Sequence, residues 1–199
     1  MESVVSVSIG VPLASRFASP RGAPYPDPSM LLRLTAVLAA CLAPCASTED
    51  GIALINGAPH FDQMATMVGE WYRTDGEAGV GPVMTYELAA NGSAVVERLF
   101  PGMEKEMVTM YYMDGDRLML THYCALGNQP SMVATGGDEA LIEFDFHGAS
   151  NLGSPDETHM HQHTVAFLGP DRVDATWVLW DGGSEAERRL FPVERRAAR

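Results

Sequence analysis

Val83-Met84-Thr85-Tyr86-Glu87-Leu88-Ala89-Ala90-Asn91-Gly92-Ser93-Ala94-Val95-Val96-Glu97-Arg98-Leu99-Phe100 carries the segment that decides the fold. Two strand-like runs, 83–90 and 94–100, flank Asn91-Gly92. Both central positions of a tight hairpin turn need positive φ, and Asn-Gly supplies them at little steric expense. The pair reads as an antiparallel hairpin.

The same grammar continues in both directions. Lys105 to Met113 and Arg117 to Cys124 flank Asp114-Gly115. A loop from Ala125 to Pro130 leads to Ser131–Thr135, and Gly136-Gly137-Asp138 reads as a turn into Ala140–Phe146. The polar segment Gly148–Glu157 precedes His159–Leu168. Gly169-Pro170-Asp171 then turns into Val173–Trp180, and Leu190–Arg195 follows a Gly-rich turn. Upstream, Glu70 to Arg73 is a short strand. Before it, Phe61, Met64, Met67 and Val68 recur at helical spacing between Pro59 and Val68, with Gly69 as a stop. The pattern is therefore all-β, about nine or ten short strands after one short N-terminal helix, with no βαβ alternation. Serial hairpins favour an antiparallel up-and-down β-barrel, because closure removes exposed strand edges. A β-sandwich fits the serial spacing less well.

The chain has 199 residues, 46% of them hydrophobic, and a formal charge of -13. That balance disfavours nucleic acid and anionic membrane surfaces as partners. Residues 1–47 read as a leader: 1–29 lack periodicity and suggest a start codon placed too early, and Met30 to Ala40 has the shape of a secretory signal core, too short to span a bilayer. Export to the periplasm or medium is expected. Leu38-Ala39-Ala40-Cys41 also has the form of a lipobox, which would make Cys41 a lipid anchor. With the leader removed, Cys124 stands alone and no intrachain disulfide can form. Residues 48–57 read as a linker and 58–196 as the folded domain.

Gly69-Glu70-Trp71, opening the first strand after a helix, resembles the lipocalin signature, and residues 58–196 are similar to small exported lipocalin-like domains of bacteria. The resemblance implies a calycin-type barrel, with Trp71 packed under a basic residue of the last strand, Arg195 or Arg196. The usual lipocalin disulfide is absent.

His159, His161 and His163 occupy alternate positions, followed on the same parity by Val165 and Phe167. In a regular strand these side chains share a face, so three imidazoles are expected to point into the barrel. On Arg117–Cys124, His122 and Cys124 follow Leu118 and Leu120 inward, whereas His147 falls on the polar face. Trp177 and Trp180 lie on opposite faces of one strand, and Trp177 is the core member. His122, His159, His161 and His163, with Tyr123, Asn128 and Gln129 near the barrel mouth, form the candidate ligand-binding set. Buried polar groups that satisfy one another are the plainest account of such a cluster. His122, His161 and His163 could instead hold zinc in a three-nitrogen site, or one histidine could meet haem axially. Frequent methionines suit an adaptable apolar interior. No hydrolase, nucleotide-binding or metalloprotease signature is present. The expectation is an exported small-molecule binder; a metal-assisted hydrolase or isomerase is the alternative.

Overall fold

The structure, a computed structural model, describes residues 56–76 and 80–196. The leader and the Cys41 lipidation site lie outside these residues, as does most of the 48–57 linker. No described helix is long and apolar enough to cross a membrane.

Helix α1 (Ala58–Ala65) is followed by ten strands: β1 (Gly69–Arg73), β2 (Met84–Ala89), β3 (Ala94–Leu99), β4 (Met107–Asp114), β5 (Arg117–Tyr123), β6 (Gln129–Asp138), β7 (Leu141–Ser150), β8 (His159–Gly169), β9 (Arg172–Asp181) and β10 (Ser184–Arg195). Each strand pairs antiparallel with its neighbours in sequence, and β1 pairs with β10, with Trp71 opposite Arg195. The result is the closed up-and-down barrel that serial hairpins favour, so no strand is left with an unpaired edge.

Several boundaries differ from the sequence expectation. The helix ends at Ala65, and Val68 is 41% exposed instead of joining Met64 and Met67 in the core. Between β2 and β3 the chain makes a wider turn than a two-residue hairpin: Ala89 pairs with Ala94, and Ala90, Asn91 and Gly92 all have positive φ. Gly136 and Gly137 belong to β6, not to a turn. They follow a bulge at Thr135 and pair with Glu143 and Ile142, and a Cβ on Gly137 would sit 2.0 Å from the Leu141 carbonyl oxygen. The last strand starts at Ser184, six residues earlier than the apolar run at Leu190, because its first half is exposed and charged yet still pairs with β9.

Alternation fills the interior. Val95, Leu99, Tyr111, Leu118, Leu120, Ile142, Phe144, Val165, Val173, Trp177 and Val193 are all buried in one cluster. Each such side chain contributes roughly 1.5–3 kcal/mol when fully removed from water. Helix α1 covers the barrel end formed by the start of β5: Gly57 N–H donates to the Asp116 carbonyl at 2.8 Å, and Met64 and Met67 join the core. The other end, toward His122, is left to the loops.

Trp71 fastens the helix-covered end. Its indole N–H donates to the Met67 carbonyl at 2.7 Å, and the Arg195 guanidinium lies over its ring at 4.8 Å. Arg195 also donates to the Val68 and Thr66 carbonyls at 2.9 and 2.6 Å, satisfying backbone acceptors just beyond the helix.

Candidate functional site

A β-bulge divides the histidine run. Met160 pairs with Leu179, but the next pair is Gln162 with Val178, so His161 is the extra residue of β8. His159 stands opposite Trp180 and His163 opposite Trp177. These tryptophans are three apart on an unbroken strand and face opposite sides of the sheet. His159 and His163 therefore do too, which overturns the expectation that His159, His161 and His163 share one interior face. Each bulge resets the parity that alternation relies on.

His163 is the inward one. It stacks on Trp177 (centroids 3.9 Å, 19° between planes) and on Phe144 at 5.8 Å. His161 stacks between Trp180 at 3.6 Å and Phe146 at 4.9 Å. His159 is buried beside it, with Nδ1 2.6 Å from the Glu157 carbonyl and Nε2 2.9 Å from His161 Nδ1. A carbonyl only accepts, so His159 Nδ1 carries the proton, and His161 Nδ1–H donates to His159 Nε2. This pair ties the 151–158 loop to the strand. Burial pushes the His161 pKa down to about 4, with His159 adding to the effect and Asp145 opposing it.

The proposed zinc set of His122, His161 and His163 is not assembled, because the bulge places His161 on the Trp180 side while His122 and His163 both pack on Trp177. Among the described residues, no group of three His, Cys, Asp or Glu side chains is arranged to hold a metal ion. Tyr123 is 48% exposed at the end of β5. Asn128 donates to the Thr158 carbonyl at 2.9 Å, while Gln129 donates to the Gly127 carbonyl and accepts from Ser150. Both amides brace loops. Cys124 is a free thiol whose pKa is raised by burial, the opposite of an activated nucleophile.

His122 has a different setting. A cavity of about 90 Å³ opens beside it, walled by Leu99, Phe100, Met107, Met160, Leu179 and Phe191, with Trp177 against its floor and the Glu187–Arg189 ion pair at the rim. The bulge puts Met160 at this wall, where unbroken alternation would have put a histidine. His122 and Trp177 are 4.5 Å apart between ring centroids. His122 Nδ1 lies 2.9 Å from the Thr109 hydroxyl oxygen. That ring nitrogen is the one acceptor within reach of the hydroxyl proton among the described residues, so Thr109 donates to Nδ1, and the neutral ring carries its proton on Nε2. Burial keeps the ring neutral by lowering its pKa to about 4. His122 Nε2 and Trp177 Nε1 are both buried without a hydrogen-bond partner. Two uncharged N–H donors thus border one apolar cavity with nothing to donate to.

Sequence reasoning missed Glu97, Thr109 and Tyr111. All three were legible by parity: Val95-Glu97-Leu99 and Met107-Thr109-Tyr111 each put a polar residue on an otherwise apolar face. Glu97 is 0% exposed and accepts from the Tyr111 hydroxyl at 2.6 Å, and Tyr111 lies 3.1 Å from His163 Nε2. Burial raises the Glu97 pKa to about 7, offset in part by the hydroxyls of Tyr111 and Tyr86.

Comparison with known protein families and with curated sequences finds no match to this chain.

Proposed function

We propose that this protein is an exported, calycin-type barrel that binds a small, largely apolar molecule through a hydrogen-bond acceptor, such as a carbonyl oxygen. The single observation behind this reading is the pair of orphaned donors, His122 Nε2–H and Trp177 Nε1–H, at one apolar cavity. An unsatisfied buried donor costs about 1–3 kcal/mol, so a ligand supplying an acceptor recovers free energy already spent in folding. The ring pair carries no charge at neutral pH, and desolvating a carboxylate there is unfavourable. A neutral acceptor suits it better. The cavity is well below the ~300–1,000 Å³ of typical drug-sized pockets, so it fits a head group or a short ligand whose remainder reaches the rim.

Kinship with lipocalins is supported by Gly69-Glu70-Trp71 at the start of β1 and by the Arg195 guanidinium over the Trp71 ring. Ten strands in place of the lipocalin eight set this barrel apart. Export rests on the leader-like composition of residues 1–47. A haem reading draws only on the unpartnered His122 nitrogen, and it requires Nε2 to give up its proton and the barrel end to open widely.

Titration with a medium-chain methyl ketone, followed by tryptophan fluorescence, tests the binding reading. Saturable binding that weakens in Trp177→Phe is expected. Equal response to the ketone and to the alkane of the same length would remove the donor pair from the account. A Soret band in the purified protein would favour haem.

A further inference from the structure

The barrel centre holds a second polar constellation, independent of the cavity reading. Glu97 (β3), Tyr111 (β4) and His163 (β8) form a buried line of contacts, and all three are 1% exposed or less. His163 Nδ1 lies 3.0 Å from the Thr176 carbonyl, which can only accept, so Nδ1 carries a proton. In a neutral ring, Nε2 then presents a lone pair to the Tyr111 oxygen 3.1 Å away. The Tyr111 oxygen is also 2.6 Å from Glu97 Oε2.

Tyr111 has one proton for two acceptors. If Glu97 is ionised and His163 neutral, one of the two contacts sets lone pair against lone pair. One further proton removes the conflict. Either Glu97 Oε2–H donates to Tyr111, whose own proton goes to His163 Nε2, or Glu97 stays a carboxylate, accepts from Tyr111, and a His163 imidazolium donates to the phenol. The two forms have the same atoms and total charge and differ by the shift of two protons along the line.

The surroundings choose between them. Glu97 Oε1 is buried without a hydrogen-bond partner, which is far worse for a carboxylate oxygen than for the carbonyl of a neutral acid. His163 is enclosed by Phe144, Trp177 and Tyr111 and has no acidic side chain in contact. The other titratable groups near the line are Tyr86, which faces Glu97 directly from β2, and His122, which acts on His163 by like-charge repulsion. None of these is a cation that would hold a carboxylate, and the Tyr86 hydroxyl, which favours the ionised form, donates to the Met84 sulfur at 3.6 Å. Burial raises both phenols well above their usual pKa, so neither competes for the negative charge.

We propose that Glu97, Tyr111 and His163 form a buried proton-binding site, in which Glu97 is a neutral carboxylic acid at pH 6 and the Tyr111 hydroxyl links it to His163. The site stores one proton at the barrel axis, and a proton shift toward His163 would place positive charge against the Trp177 ring.

Difference infrared spectroscopy of the intact protein tests this. Among the described residues, Glu97 is the one buried acidic side chain. At pH 6, wild type should show a protonated-carboxyl stretch that shifts in deuterium oxide, moves on uniform carbon-13 labelling of glutamate, and is missing in Glu97→Gln. Labelling identifies the band even if that variant does not fold. Tyr111→Phe should shift the band and alter the His163 Nε2 nitrogen-15 resonance, because the link between them is cut. A folded wild type that shows no protonated glutamate at pH 6, whatever the state of His163, would overturn the proposal. So would a band and a His163 resonance that ignore Tyr111→Phe.

Discussion

The rings of His122 and Trp177 sit 4.5 Å apart, each with a buried N–H that no other group of the described chain accepts. Trp71, by contrast, donates to the Met67 carbonyl, and the other buried side-chain atoms without a hydrogen-bond partner, on Glu97, Asn128, Trp180 and Arg195, belong to residues that do not line this cavity. The His122–Trp177 pair lies where the wall opens into an apolar cavity. Stability does not account for it, since Trp177→Phe, or His122→Phe together with Thr109→Val, would avoid the loss.

His122→Phe alone strands the Thr109 hydroxyl and should destabilise the barrel by about 1–3 kcal/mol. Adding Thr109→Val removes the stranded group, and the double variant should recover most of the loss. Both should lose ketone binding. Urea denaturation midpoints and a ketone titration check this. A double variant no more stable than the single one would mean that Thr109 and His122 are not coupled as described.

Stability should depend on pH from both sides. His122 and His163 have folded pKa values lowered to about 4 and about 3, below the ordinary 6.5. Their contribution is fully present above about 6.5 and is lost as pH falls toward the folded values. Glu97 is the reverse: its pKa is raised to about 7, so its contribution is full below about 4.5 and is lost as pH rises through 7. Melting temperature should climb from pH 4 to a maximum near pH 6 and decline toward pH 8. Glu97→Gln should flatten the alkaline decline and leave the acid limb in place.

Arg195 should matter through geometry as well as charge. Arg195→Ala removes a cation–π contact and two hydrogen bonds to carbonyls, a combined loss of about 2–4 kcal/mol. Arg195→Lys keeps the charge but not the fork that reaches the Thr66 and Val68 carbonyls, and should recover less than half of that. Thermal unfolding of the two variants distinguishes these contributions. Equal stability of both with wild type would show that the Trp71 seal is dispensable.

Gly137 tests the close approach of the end of β6 to the start of β7. Its φ of 123° and the 2.0 Å approach of a Cβ to the Leu141 carbonyl leave no room for a side chain. Gly137→Ala should destabilise by more than about 1 kcal/mol, whereas Gly148→Ala, where a Cβ would meet nothing within 4 Å, should be far milder. Similar midpoints for the two would contradict the assigned strain.

The architecture was legible because its determinants are local. Asn91-Gly92, Gly115 and Gly182-Gly183 mark reversals, and closure follows when each strand pairs with its sequence neighbour. The lipocalin resemblance implied a basic residue over Trp71 and left Arg195 and Arg196 both open; Arg195 lies over Trp71 and Arg196 over Tyr72. What alternation could not show is where it fails. One unpaired residue at His161 moved His159 to the opposite face and placed Met160 at the cavity. Nothing in the composition of 159–165 announces that bulge. Glu97 is a different case: its inward parity between Val95 and Leu99 is visible in the sequence, but its partners come from β4 and β8, which only closure brings to it.

The central claim is that the His122 and Trp177 donors meet a ligand acceptor. Nitrogen-15 NMR of the intact protein, titrated with a medium-chain methyl ketone, examines it at the two atoms concerned. The indole N–H of Trp177 and the Nε2–H of His122 should shift together and saturate, while the Trp71 indole N–H, already bonded to the Met67 carbonyl, stays in place. A folded protein in which neither resonance responds to the ketone, or in which Trp71 moves as much as Trp177, would contradict the account.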